Sequence, residues 1–203
     1  MARFVGPRGK IVRRLDYPVF ESPKFSALKK NYPPGQHGNS RRRKVSTYGL
    51  QLREKQRLKH LYGVLERQFR NYFKKAASQV GPTGHNLLTL LESRLDNTVY
   101  RMGLAPTRRA ARQLVGHKHL LVNNRIVNIP SYRLKPGDEV RIREKSRRME
   151  QIHNAMRRIT EENQLPWMDL DKAQMSGTFL ALPTREEIPE EINEQLVVEL
   201  YSK

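Results

Sequence analysis

From Ser46 onward, apolar residues recur at helical spacing. Leu58, Leu61, Tyr62, Leu65, Phe69, Tyr72, Phe73 and Ala76 fall on an i, i+3, i+4, i+7 stripe. The stripe predicts helices over about 47–60 and 64–77, with Gly49 and Gly63 as breaks. We read these aromatics as core rather than as a stacking platform. Gly81-Pro82-Thr83-Gly84 is a turn, after which Asn86 can cap a third helix carrying Leu87, Leu88, Leu90, Leu91, Leu95, Val99 and Met102, bent near Ser93. Thr107 opens a short helix with Ala110, Ala111, Leu114 and Val115 inward and Gly116 closing it.

The period then shortens. Leu120–Val122 and Arg125–Val127 read as strands joined by Asn123-Asn124, which tolerate the positive φ of a tight hairpin turn. Pro136-Gly137 leads into Val140-Arg141-Ile142-Arg143, whose alternation puts one face inward and leaves one basic. A basic helix over about 146–162 follows, with Met149, Ile152, Met156 and Ile159 on its apolar side. Strands at Trp167–Leu170 and Thr178–Leu182 and an acidic helix over Glu191–Leu200, packed through Ile192, Leu196 and Leu200, complete the pattern. Before Ser46 the pattern fails. Gly6, Pro7, Gly9, Pro18, Pro23, Pro33, Pro34, Gly35 and Gly38 leave no window for a normal helix. Basic residues there are interleaved with Phe4, Tyr17, Phe20, Phe25 and Tyr32, and aromatics are scarce in disordered tails. We read an extended arm that orders against a partner. The fold class is α+β: a basic arm (1–45), a small helical domain (46–92, completed by 184–203), and an inserted mixed α/β module with a short antiparallel sheet (93–183).

Charge identifies the partner class. The first 150 residues hold 34 Lys/Arg against 10 Asp/Glu, a net of +24; the last 53 hold 5 against 10, a net of −5. Such a surplus speaks about partners. Nucleic acid fits best. An anionic membrane would need a broad exposed apolar face beside the basic one, and the apolar stripes are already accounted for by two cores. No run approaches the roughly 20 apolar residues that span a bilayer, and Arg13-Arg14 cut short the only apolar start near the N-terminus, so no signal peptide is expected.

Arg108, Arg109 and Arg112 share one face of the 107–116 helix, opposite Ala110, Leu114 and Val115, and no carboxylate lies in that helix. His117, Lys118 and Arg125 extend them into a basic edge suited to phosphate oxygens and, through planar Arg, to the unpaired bases of folded RNA. Charge reversal at Arg108 and Arg112 is expected to weaken RNA binding and leave the fold intact. A second cluster, Arg53, Lys55, Arg57, Lys59, Arg67, Arg70, Lys74 and Lys75, is opposed only by Glu54 and Glu66.

Nothing argues for catalysis. The histidines at 37, 60, 85, 117, 119 and 153 lack helical metal-site spacing, and no phosphate loop, nucleophile elbow or dinucleotide fingerprint is present. Asp96, between Arg94 and Arg101, reads as an ion-pair partner. With no cysteine, disulfides and thiolate zinc sites are excluded, and a reducing cytoplasm is consistent with that.

The strings Asn31-Tyr-Pro-Pro-Gly-Gln-His-Gly38, Tyr48-Gly-Leu-Gln-Leu-Arg-Glu-Lys-Gln56, Tyr62-Gly-Val-Leu-Glu-Arg-Gln-Phe69, Arg94-Leu-Asp-Asn-Thr-Val-Tyr-Arg-Met-Gly103, the 107–128 module and the ending from Ile192 resemble the ribosomal protein four family of the bacterial small subunit. The resemblance spans nearly the whole chain. It implies a non-enzymatic, cytoplasmic, ribosome-bound protein without cofactor, membrane contact or homo-oligomer. Such a protein binds a multi-helix junction in the 5′ domain of the rRNA, nucleates its assembly and supports translational accuracy. Its rRNA contacts would fall on Arg3, Lys10, Arg13, Arg14, Gln36 and His37 of the arm, Arg53, Lys55, Arg57, Lys59, Arg67 and Arg70 of the helical domain, and Arg108, Arg109, Arg112, His117, Lys118 and Arg125 of the module. Arg41, Arg42, Arg43 and Lys44 would lie where mRNA enters and keep it unfolded. The acidic C-terminal region would meet small-subunit protein five, with protein three as a further neighbour. Some relatives hold zinc with N-terminal cysteines; this chain, having none, is expected to bind no zinc. An RNA-modifying enzyme shares only the 94–145 module and would need a separate catalytic domain. A free-standing stress-type RNA-binding module has no need of the strings at 31–38 and 48–69.

Overall fold

The computed structural model describes residues 4–25, 28–30, 32–40, 44–158 and 165–202. The chain divides into two compact units, residues 1–86 with 190–203, and residues 87–189. Residues 1–45 belong to the same unit as the helices that follow them.

In the first unit the N-terminal segment contains a helix, contrary to the sequence reading. It is α1, Arg8–Leu15, preceded by Pro7 and ended by Asp16, whose φ of 53° lets its N–H reach the Val12 carbonyl at 2.8 Å. Val12 and Leu15 pack with Val19 and Phe25 into a small core, flanked by Ile11, Tyr17, Phe20 and Leu28. Gly6 and Pro7 precede this helix and Pro18 follows it, while Gly9 sits within its first turn.

α2 (Thr47–Leu61) starts at Ser46, whose hydroxyl accepts the Gly49 N–H at 3.2 Å, so Gly49 sits in the first turn and is no break. Gly63 is one, at φ +61°. α3 (Glu66–Ala77) buries Phe69 and Ala76. The C-terminal helix α8 (Glu194–Tyr201) is capped by Asn193, whose Oδ1 accepts from the Gln195 and Leu196 N–H groups. Its buried residue is Val197, with Leu196 and Leu200 half-buried. The helix is therefore turned from the expected face. It lies against α2, with Gln51 Nε2 donating to Glu199 at 2.9 Å. The Tyr201 ring stacks on Phe73 at 4.7 Å.

α4 (Thr83–Glu92) begins before Asn86, which is not its cap. The Asn86 Nδ2 instead donates to the carbonyls of Ala76, Gln79 and Val80 and ties down the preceding turn. The expected bend at Ser93 is a break: α5 (Leu95–Arg101) starts anew after Arg94. The break is fastened by the loop after the hairpin. Leu95 and Asp96 N–H groups donate to the Tyr132 and Pro130 carbonyls, and Leu134 N–H donates to Ser93.

In the second unit α5 packs on α6 (Arg108–Gly116), with Thr107 accepting the Ala110 N–H at 3.1 Å. The left-handed residue after α6 is Lys118 (φ 63°) rather than Gly116. Among the described residues, β1 (Leu120–Val122), β2 (Arg125–Ile126), β3 (Asp138–Ile142), β4 (Met168–Asp171) and β5 (Ser176–Phe179) form an antiparallel sheet in the order β2-β1-β3-β5-β4. Asn123 and Asn124 take φ of 48° and 63°, the expected hairpin turn. Val140 and Ile142 face the core with Leu120, Val122, Leu134 and Phe179, and Arg141 takes the other face. β5 runs earlier than the sequence suggests and leaves Leu180 and Leu182 exposed. It passes so close to its neighbours that a Cβ on Gly177 would meet Met102 Sδ and the Asp169 carbonyl at 2.9 Å. The expected basic helix is short: α7, Glu150–Met156, buries Ile152 and Met156. Ile159 lies outside the described residues.

Candidate nucleic-acid interface

The break between α4 and α5 builds a buried polar lattice beneath α6. Arg94, 1% exposed, clamps Asp96 through two hydrogen bonds of 2.9 and 2.6 Å. Arg101 grips the fully buried Glu92 in the same bidentate way, at 3.1 and 2.7 Å. The Asn97 amide donates to Glu92 at 2.6 Å, and its carbonyl accepts Arg108 Nε at 2.8 Å. The Arg108 guanidinium lies 4.6 Å from the centre of the Tyr100 ring, a stacked cation–π contact. Arg112 reaches Asp96 at 3.6 Å. Buried charges persist when matched and hydrogen-bonded, and this lattice matches them by drawing arginines of α6 inward.

That corrects the expected arginine face. Arg108 is buried, and Arg112 is half-buried against a carboxylate supplied by α5. Charge reversal at Arg108 would place a carboxylate inside this lattice, so it cannot leave the fold intact. Arg109, Gln113 and His117 line the outward face of α6, one helical turn apart. Lys118 and Arg125 are exposed beyond them. Residue-type reasoning named the arginines and missed Gln113. It also left out Arg141, which faces outward on β3 and donates to Asn124 at the hairpin tip.

In the first unit α3 carries a basic outer stripe: Arg67, Arg70, Lys74 and Lys75 are exposed opposite Phe69 and Ala76. Of the other expected cations, Lys55, Arg57 and Lys59 are engaged within the unit. Lys55 is buried and pairs with Glu66 at 2.8 Å; Lys59 joins the same carboxylate at 3.3 Å. Tyr201 donates its hydroxyl to Glu66 at 2.8 Å. Burial alone would raise the Glu66 pKa, but hydrogen bonds from Lys55, Tyr201 and Lys59 outweigh it and hold it at about 2. Arg57 donates to the Leu15 carbonyl and to Glu54, over the Tyr17 ring. Arg53 is half-buried on the same helix. His60 lies edge-on to Phe4, 5.0 Å between ring centres. Its burial, with the charges of Lys59 and Lys55, lowers its pKa to about 4, so it serves as a neutral aromatic.

Along α1, Lys10 and Arg14 point to solvent, whereas Arg13 turns back. Its Nε and Nη2 donate to the Tyr32 and Pro33 carbonyls at 2.8 and 3.1 Å, and its guanidinium covers the Tyr32 ring at 4.7 Å. It thereby fastens a tight turn that leaves Gln36 and His37 exposed. A Cβ on Gly38 would sit 2.1 Å from the Pro33 carbonyl, so only glycine closes this turn. Lys44 is exposed ahead of α2; Arg3, Arg41, Arg42 and Arg43 lie outside the described residues. Among the described residues no three His, Cys, Asp or Glu side chains are grouped to hold a metal, and no helix is long and apolar enough to cross a membrane.

Comparison with known families agrees with this division. Residues 3–92 match the family "Ribosomal protein S4/S9 N-terminal domain" and residues 93–140 match "S4 domain". The class is that of S4-domain ribosomal proteins. The chain is 58% identical to the small ribosomal subunit protein uS4 of Parabacteroides distasonis, 55% to that of Cytophaga hutchinsonii and 54% to that of Porphyromonas gingivalis, each over the full length of both chains. It belongs to the uS4 family of small-ribosomal-subunit proteins, a family of structural proteins rather than enzymes.

Proposed function

We propose that this chain is a primary rRNA-binding protein that grips a multi-helix junction in the 5′ domain of the small-subunit rRNA and nucleates its assembly. The observation that carries this is the outward face of α6. Arg109 and Gln113 lead through His117 to Lys118, from a helix whose inward Arg108 and Arg112 are held by Asn97 and Asp96. A face held rigid before binding loses little freedom on contact with RNA. The basic stripe of α3, with Lys10 and Arg14, gives the first unit its own phosphate-facing surface. The module 93–183 reads as an insertion between the parts of a helical domain, 46–92 and 184–203.

Lys44 and the Arg41–Arg43 run continue this reading to the channel through which mRNA enters, where a basic run would hold single-stranded message and oppose its refolding. The acidic C-terminal region, with Glu186, Glu187, Glu190 and Glu191, suits contact with small-subunit protein five and then protein three. Through that contact the chain would support translational accuracy. The cytoplasm, where ribosomes work, is its place.

The test is a pair of substitutions that spare the lattice. Arg109→Glu with Lys118→Glu should weaken binding to transcribed 5′-domain rRNA at least tenfold, since one charged hydrogen bond contributes about 1.5–3 kcal/mol. Thermal unfolding should still be cooperative, showing that the variant remains folded. Wild-type affinity in this variant would remove the α6 face from the interface.

A further inference from the structure

Past residue 140, where the S4 domain match ends, the second unit carries another concentration of positive charge. β3 runs into a single tight turn, Glu144–Ser146, and residues 143–148 read Arg-Glu-Lys-Ser-Arg-Arg. This turn is joined firmly to the bend that leaves α6. Arg143 donates its backbone N–H to the His119 carbonyl and its Nη1 to the Lys118 carbonyl, both at 3.0 Å. Ser146 N–H returns to the Arg143 carbonyl at 2.8 Å, and Ser146 Oγ meets His119 Nδ1 at 2.8 Å. His153 of α7 holds the Arg147 carbonyl from the other side at 2.7 Å.

Lys118, Arg143, Lys145, Arg147 and Arg148 thus stand on one cross-linked platform. Among the described residues no carboxylate pairs with any of the five. The chemistry of the partner follows from what the platform lacks. Among the described residues, the large apolar side chains exposed in this unit are Ile126, Ile129, Tyr132, Leu180 and Leu182, and none belongs to 117–119 or 143–148. A protein partner would ask for apolar contact. Exposed cations, with Lys118, Lys145 and Arg148 the most open, on a frame fixed by Ser146, His119 and His153 match successive phosphates instead.

We infer that this platform is a second backbone clamp: it binds the phosphodiester chain of folded RNA beside the α6 face, beyond the S4 domain match, and grips without reading bases. The inference rests on the reading that the chain binds rRNA. The experiment measures the affinity of the full chain for transcribed 5′-domain rRNA across a series of salt concentrations. It compares wild type with Lys145→Gln/Arg147→Gln/Arg148→Gln. The variant should lose tenfold or more in affinity at moderate salt. Its plot of log affinity against log salt should be shallower by roughly two, since each lost phosphate contact removes about 0.7–0.9. A steep wild-type slope with an unchanged variant slope overturns the clamp and leaves the wider reading standing. Failure of the wild type to bind overturns the wider reading itself. If rRNA affinity is unchanged but the variant is lost from assembled subunits, an acidic protein occupies the platform and the inference falls. Should the triple variant not fold, Lys145→Cys in this cysteine-free chain carries one tethered hydroxyl-radical probe. Cleavage of nearby rRNA backbone is expected, and its absence overturns the clamp.

Discussion

Arg108 and Arg109 are adjacent in the chain and serve different ends, and the difference is set by what lies under each. Arg108 stacks on Tyr100 and donates to Asn97, so its truncation leaves a buried amide carbonyl unmatched. Arg108→Ala should lower unfolding stability by about 1–3 kcal/mol, read by denaturant titration. Asp96→Ala leaves Arg94 buried without its counter-charge and should cost more, about 3–5 kcal/mol. Arg109→Ala, at an exposed side chain, should cost less stability than Arg108→Ala and show its larger effect in RNA affinity. Equal losses of stability at Arg108 and Arg109 would contradict this division. The spacing of the three arginines was readable from the chain, and so was a shared face. Which of them turned inward was not, because the deciding carboxylates and amide sit on neighbouring helices, at Glu92, Asp96 and Asn97.

At the scale of elements, Glu66 joins three helices. It accepts from Lys55 and Lys59 of α2 and from Tyr201 of α8 while sitting at the start of α3. His60 on α2 packs neutral against Phe4. Both groups have folded pKa values below their ordinary ones, 4.5 for Glu66 and 6.5 for His60. Each therefore contributes stability that is complete above its ordinary value and is lost as pH falls through the folded one. Stability of the first unit should decline between pH 6.5 and about 4 as unfolded His60 takes a proton. The decline should continue from 4.5 to about 2 through Glu66. Hydrogen exchange of α2, α3 and α8 across this range checks it: His60→Gln should flatten the upper part and Glu66→Gln the lower. A profile untouched by both substitutions would contradict the assignment. The helices themselves were legible from the Leu58–Ala76 stripe, from the change of period at Ser46 and from Thr107. α1 was not, because Pro7 and Gly9 mask eight residues whose stability comes from Val12 and Leu15 finding Val19 and Phe25. The acidic helix was visible, yet its inward residue was misjudged, since packing on α2 selects Val197.

For the whole molecule, charge and topology tell a consistent story. The +24 of the first 150 residues is partly internal, balanced through Glu54, Glu66, Glu92 and Asp96. What remains outward is organised on α1, on α3, on α6 and on the turn after β3. The sheet order depends on pairing across long loops, and the chain pattern could propose strands but not their order. The family resemblance, by contrast, was legible along nearly the whole chain, and the family matches and full-length relatives bear it out. We propose that this protein binds the 5′ domain of small-subunit rRNA directly, through phosphates, with no other protein present. The most direct test titrates the full chain into transcribed 5′-domain rRNA at several salt concentrations. A saturable one-to-one complex is expected, its log affinity falling linearly with log salt at about 0.7–0.9 for each phosphate neutralised. Binding that appears only after other ribosomal proteins are added, or that is indifferent to salt, would contradict it.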